Sequence, residues 1–421
     1  MTPYPAARTQ RDPSPIPASN IRALGPWYAI EFLNSYAATL FCTGAYDFAD
    51  HELHVTPSMR LWLSAAWGFA YIFISLQSGR LSERFGPRSV VRTMILLCIA
   101  STLLPLLTLH FQNIWLLLLL MLPFNFTSST IWPAIESAIS RTRAPMPLNM
   151  RTAMYNISWG SAGFVSFFTC GALENAWWGN IFLVPSLCSL LSITLFFLFA
   201  PPASAISKEH VPQESQHERD IDSPDMRQRA KTLLLMAWIG NALAFVAINV
   251  LLPVKMRLAT EAGITNLTSQ GFITSVWALT RVLGFALLWK WSGWHYKARW
   301  LLGAQLALWI SFVLFIVINT VPMLFTMQIL FGLATATVYS SSLYYAMHVS
   351  EGHGGHAGIH EALIGLGTCI GPAVGALAGG NARGHDALTR IAIGVSFVMA
   401  AGISAMLLVS RRSKPAKIHT A

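Results

Sequence analysis

Apolar residues along this chain fall into long blocks separated by short polar or charged intervals. A bilayer's hydrocarbon core takes about 20 apolar residues per helix. Reading the blocks against Pro, Gly and charged breaks predicts twelve such helices. Six lie near residues 27–48, 58–79, 89–110, 113–137, 150–174 and 177–200. Six more lie near 230–252, 268–290, 298–319, 322–347, 356–380 and 387–409. The expected fold class is therefore an all-α membrane protein with twelve transmembrane helices. Its expected domains are a tail at 1–24, a six-helix bundle at 25–200, a polar linker at 201–229, a second bundle at 230–410 and a tail at 411–421.

A faint repeat with an offset of roughly 208–210 residues relates the two halves. Thr130-Ile131-Trp132 echoes Thr337-Val338-Tyr339, and the interval at 79–92 has a worn copy at Lys290–Lys297. The bundles are thus expected to be pseudo-symmetric.

Composition agrees with a lipid environment. The 421 residues are 54% hydrophobic and 11% charged, against roughly 25% charged in soluble domains. Such a chain cannot coat a globule with polar groups. Fifteen Trp and 24 Phe suit aromatic belts at the two interfaces. The net charge of +10 does not point to nucleic acid, because the cations sit in short clusters between apolar blocks rather than on one face. Anionic lipid headgroups are the expected acidic partner. With the N-terminus inside, 22 of the 28 Lys and Arg fall on cytoplasmic segments. Arg60, Lys255, Arg257, Arg383 and Arg390 remain outside, and Arg281 lies within a span. That bias predicts cytoplasmic termini, and the chain reads as a monomeric, multi-pass protein of a bacterial inner membrane. The five cysteines all lie in apolar blocks without CxxC or zinc spacing, so free core thiols are expected and no metal or cofactor is implied.

Residues 79–92 read GRLSERFGPRSVVR, wedged between two apolar blocks. Gly79 and Gly86 are expected to allow tight turns, and Pro87 suits the first turn of a helix. Arg80, Arg84, Arg88 and Arg92 place four cations at the interface. Gly79, Leu81, Arg84, Gly86 and Arg88 resemble the signature hairpin of the major facilitator superfamily, with Glu83 in place of the usual Asp. The resemblance covers roughly residues 25–410. It implies two six-helix bundles around a central cavity, lined by the first, fourth, seventh and tenth helices and alternately open to either side. It further implies a cytoplasmic latch in which Glu83, Arg84 and Arg88 bond neighbouring helix ends. The family's helix-4 Arg signature of drug–proton antiporters is missing. The antiporters' Gly-Pro motif appears in the eleventh predicted helix, as Gly371-Pro372, instead of the fifth.

A charged side chain inside a span costs about 2.5–3.5 kcal/mol on insertion scales, so each needs a partner, a wet cavity or a task. Glu31, Glu136, Arg281 and Glu361 stand out. Arg281 shares a stripe with Gln270, Thr274 and Trp277; it reads as an anion ligand or counter-ion, or else as a structural donor. Glu136, near Arg141 and Arg143, is expected to form a gate salt bridge with the hairpin. Glu31 reads equally as a proton carrier and as a paired interface acid. Expected solute contacts are Asn34, Asn125, Trp132, Asn241, Trp277, Arg281 and Tyr339, with Glu31 and Glu361 coupling protons. The expected gate is Gly79, Glu83, Arg84, Gly86, Arg88 and Glu136. Small residues from Gly365 to Gly379 suit close helix approach. His348, His353, His356 and His360 gather at the start of that helix with Glu351, as incidental loop residues, a metal site or a pH-sensitive gate.

The function these readings favour is proton-coupled secondary transport of a small organic solute. An uncoupled facilitator and a non-transporting membrane sensor or scaffold are the alternatives. No nucleophile–base spacing argues for an enzyme.

Overall fold

The computed structural model describes residues 18–142, 146, 148–202, 224–318, 320–349, 355–380, 382 and 384–412. Most of the expected tails and linker lie outside these, as do Glu351, His353 and the side chains of His348 and His356.

In lipid every backbone group must be bonded within the chain, so apolar blocks become helices. The first set is α1 (Ala18–His51), α2 (Pro57–Phe85), α3 (Pro87–Ser101), α4 (Thr108–Phe111), α5 (Ile114–Arg141), α6 (Leu148–Ala176) and α7 (Asn180–Phe199). The second is α8 (Pro224–Leu251), α9 (Lys255–Glu261), α10 (Leu267–Thr274), α11 (Val276–Lys290), α12 (Ala298–Val317), α13 (Val321–Val349), α14 (Gly355–Gly379) and α15 (Gly384–Arg412). Ten helical stretches among the described residues are long and apolar enough to cross a membrane. The helices α1 and α6 are as long but more polar, and are not among the ten.

Helix starts follow capping chemistry. Thr56 accepts from the Met59 amide ahead of α2, and Asn113 accepts from Trp115 and Leu116 ahead of α5. Two expected helices are broken. Residues 89–110 divide around a 3₁₀ turn at Leu104–Leu107, where Pro105 has no amide to donate. Residues 268–290 divide at Ser275, between α10 and α11. There the Gln328 side chain replaces the helical ladder on both sides. It accepts from the Trp277 amide at 3.3 Å and donates to the Ile273 carbonyl at 2.7 Å.

The hairpin also differs from expectation. Gly79 lies inside α2, which continues to Phe85, so the whole turn is made at Gly86 with φ of 78°. Pro87 opens α3 as expected.

Helices before residue 202 pack chiefly on one another, as do those after 224, and two seams join the sets. One places α2 on α14 and the other places α6 on α10 and α11. Glycine makes both close. A Cβ on Gly68 would sit 2.5 Å from the backbone of Thr368 and Cys369, and one on Gly171 would sit 1.9 Å from the Leu267 carbonyl. The small face of α14 does receive other helices, with Gly365 against α2 and Gly367 and Gly371 against α8. Cys42, Cys98, Cys170, Cys188 and Cys369 are all free thiols.

Candidate functional site

Between the two sets lies a cavity of about 190 Å³. From the first set, α1 contributes Glu31 and Ser35, α2 Tyr71, α5 Trp132, and α6 Tyr155 and Trp159. From the second, α8 contributes Asn249, α11 Trp277 and Arg281, α13 Tyr339, and α14 Glu361 and Thr368. Trp132 and Tyr339, matched by the sequence repeat, thus line the same space from opposite halves. The seam helices α2, α6, α11 and α14 line it too, beyond the four that the family resemblance implied.

One wall is acidic. Glu31 accepts a 2.7 Å hydrogen bond from the Ser35 hydroxyl, which itself accepts from Trp132 Nε1 at 3.0 Å. Glu31 Oε2 is buried without a partner. Glu361 accepts from the Tyr71 hydroxyl, a bond that crosses the α2–α14 seam. Glu136 on α5 lies within electrostatic reach of both carboxyls, beside Tyr155. Its Oε1 is also buried without a partner. Glu136 thus lies near the two lining acids without itself lining the cavity, and it forms no ion pair with the hairpin, where Arg80 and Arg84 at the end of α2 are exposed.

The same cavity holds Arg281, which makes no ion pair with these acids. Its guanidinium carbon stands 4.4 Å from the centroid of the Trp159 ring and 4.7 Å from that of the Trp277 ring, so two indoles pack on it. Gly163 leaves room for it: a Cβ there would come within 3.3 Å of one terminal nitrogen. The break between α10 and α11 held by Gln328 sets the phase that brings Trp277 and Arg281 to the cavity together.

Other expected contacts lie elsewhere. Asn34 accepts from Ser128, and Asn125 donates to the Trp67 carbonyl at 2.9 Å while accepting from Ser129 at 2.8 Å. Asn125 is thus spent on helix packing, and Asn34 bonds α5 through its oxygen while its amide nitrogen has no partner. Asn241 is fully buried with neither amide atom bonded, away from the cavity lining. In its place Asn249, one of the helix-7 polar residues, reaches the cavity and donates to Thr368 Oγ1 at 3.0 Å. Tyr71, Tyr155 and Trp159 had no sequence signal beyond an aromatic at helical spacing. In the hairpin, Glu83 and Arg84 are exposed, and Arg88 donates to the Pro201 carbonyl and covers Phe196. Along α2 the hydrogen bonds to the second set run from Ser58 to Tyr71, and among the described residues none lies nearer the hairpin. The described part of the histidine group, His360, bonds Ser342 at 3.0 Å and stands against Tyr339.

The end of the cavity away from the hairpin is closed by charges that include Lys255 and Arg60, which sequence reading placed on the outer side. Lys255 at the start of α9 pairs with Asp47 of α1 at 3.2 Å, both fully buried. Arg60 of α2 bonds the Pro253 carbonyl at 2.7 Å and pairs with Asp50 at 2.9 Å. Asp47, Cys170 and Glu174 bring their ligating atoms within 4.8 Å of one another, and the Lys255 ammonium already supplies the positive charge there. The Asp47–Lys255 pair and the Arg60–Pro253 bond each cross between the sets, which makes this a lock between the halves. Its signal in the sequence was the pair of acids at 47 and 50 ending a predicted span.

The family model described as Major Facilitator Superfamily matches residues 28–284. No curated protein matches the chain. Among solved structures it is similar to the nucleoside transporter NupG, at 12% identity and a TM-score of 0.70, with 93% of this chain and all of that one covered. A structure from work on substrate recognition in proton-dependent oligopeptide transporters gives 11% identity and a TM-score of 0.71, with 94% and 100% covered. A bacterial homologue of the human lysosomal transporter Spinster, solved inward-facing and unoccupied, gives 12% and 0.63, with 94% and 96% covered.

Proposed function

The chain belongs to the Major Facilitator Superfamily, and from that premise we propose that it is a proton-coupled secondary transporter of a small organic solute. It is a multi-pass membrane protein that works by alternating access, and it performs no covalent chemistry. In our reading α1 and α6 also cross the bilayer, giving twelve spans in two six-helix bundles. Their extra polarity is concentrated on the cavity wall and the far lock rather than on lipid. The charge bias of the loops supports a bacterial inner membrane with cytoplasmic termini. On that orientation the Asp47–Lys255 and Arg60–Pro253 ties close the outer side, the open hairpin latch faces the cytoplasm, and the structure is inward-facing.

The observation that carries proton coupling is the Tyr71–Glu361 bond. It joins an ionisable cavity group to the seam between the halves, so adding or removing the Glu361 proton alters a contact that rocking must remake. Glu31, bonded only through Ser35 and with its second oxygen unpartnered, is the second carrier. Glu136 belongs with them rather than with the gate. The cavity contacts for the solute are Trp132, Trp277, Arg281 and Tyr339, joined by Trp159 and Asn249.

Proteoliposomes given an isotope-labelled metabolite extract and an imposed pH gradient test this reading. The wild type accumulates a labelled solute against its gradient. Glu361→Gln loses that accumulation by at least ~10-fold yet retains exchange of the same solute across the membrane. Undiminished accumulation in the variant removes Glu361 from coupling, and equilibration without accumulation in the wild type makes the protein an uncoupled facilitator.

A further inference from the structure

We propose that the transported solute is a small organic anion, with its charged head held by Arg281 and its apolar body lying along the aromatic wall. The inference rests on the transporter reading and adds the substrate class to it.

Three observations lead there. First, Arg281 is 6% exposed, and among the described residues it has no acidic partner within ion-pair distance and no hydrogen bond. Its Nε is buried and unpartnered. Taking a guanidinium out of water is costly, and stacking on Trp159 and Trp277 offsets that only in part. Second, the two indoles pack on the guanidinium without accepting a hydrogen bond from it, which leaves its N–H donors for a ligand. A guanidinium edge offers parallel donors spaced for the two oxygens of a carboxylate, or for a sulfonate or phosphate of the same chemistry. Arg281 lines the cavity, so a solute entering it meets these donors.

Third, the charges in the cavity are not equivalent. Glu31 and Glu361 each already hold a hydroxyl donor, and a carboxyl becomes neutral by taking a proton. A guanidinium has no such route. The cavity's one charge without an internal remedy is therefore positive, and an anion is the ligand that completes it. A cationic solute would leave Arg281 uncompensated, and the ammonium of a zwitterionic one would compete with protons for the acids. Phe167, Phe245, Ile248 and Leu252 give the lining an apolar stretch that suits an apolar body, beside the hydroxyls of Thr39, Thr43 and Thr368.

Calorimetry on the full chain in lipid nanodiscs tests this with benzoate, benzyl alcohol and benzylamine, three probes of one shape and different charge. Benzoate is expected to bind most tightly. Arg281→Gln should weaken benzoate by about 30-fold, the loss of a charged two-point hydrogen bond, and leave benzyl alcohol unchanged. Arg281→Lys, which keeps the charge without the fork, should fall between. In wild type alone, benzoate binding no better than benzyl alcohol, or benzylamine binding best, overturns the proposal whether or not the variants fold. Flux of labelled benzoate separates the two readings. Binding at Arg281 without flux keeps the anion site and sinks transport; flux of neutral solutes with no anion bound or carried keeps transport and sinks the anion site.

Discussion

Replacing Lys255 with methionine is expected to unlock the end of the cavity away from the hairpin. The ammonium pairs with Asp47 at 3.2 Å in a place closed to solvent, with Glu174 beside it. Removing one partner of a buried pair costs roughly 3–5 kcal/mol because the other charge is left stranded. The state closed at that end bears the cost, since opening gives Asp47 access to water. A shift of that size changes the closed-to-open ratio by more than about 100-fold. Cys170, buried in the same cluster, reports it directly. With Cys42, Cys98, Cys188 and Cys369 replaced by alanine, a water-soluble maleimide should label Cys170 slowly in the parent and rapidly after Lys255→Met. Adding Asp47→Asn removes the stranded charge and should slow labelling again. Equal labelling in parent and single variant, or faster labelling in the double variant, would show that the pair does not hold the gate.

Gly171→Leu is expected to be the most damaging single change to the fold. A Cβ at this position would lie 1.9 Å from the Leu267 carbonyl oxygen and 2.5 Å from its carbon, both backbone atoms that cannot swing aside. The α6–α10 seam must open, and overpacking of this kind costs typically about 1–3 kcal/mol, more where backbone is struck. A thermal melt of purified protein should show a large fall in Tm or no monodisperse material. Gly79→Leu is the control, since a Cβ there has nothing within 4 Å. Melting of Gly171→Leu at the wild-type temperature would mean that the seam is looser than its geometry indicates.

These two positions show where sequence reading stopped. The Gly-rich face of α14 was legible because its small residues recur at helical spacing. Gly171 carried no such pattern, and its importance comes from a carbonyl nearly 100 residues away in sequence. The acids Glu31, Glu136 and Glu361 and the cation Arg281 were legible as charges where lipid would forbid them. Their partners were not. Glu136 was assigned to the hairpin by nearness in sequence to the arginines, whereas the packing of α5 turns it toward Glu31 and Glu361. Asn34 and Asn125 looked like cavity groups because an amide facing solute and an amide binding a neighbouring helix have the same spacing.

The sequence by itself determined the membrane class, the two-set layout, the family hairpin and the short roster of buried charges. All of these follow from local length, composition and the cost of burying charge in lipid, which act on each segment independently. Tertiary structure alone decided that Trp159 packs on Arg281, that Tyr71 reaches Glu361 across a seam, and that Asp47 meets Lys255. Each joins residues more than 100 positions apart, and their meeting depends on how one helix is rotated against another. That rotation is set by the packing of the glycine seams, a property of surfaces in contact that no single segment contains.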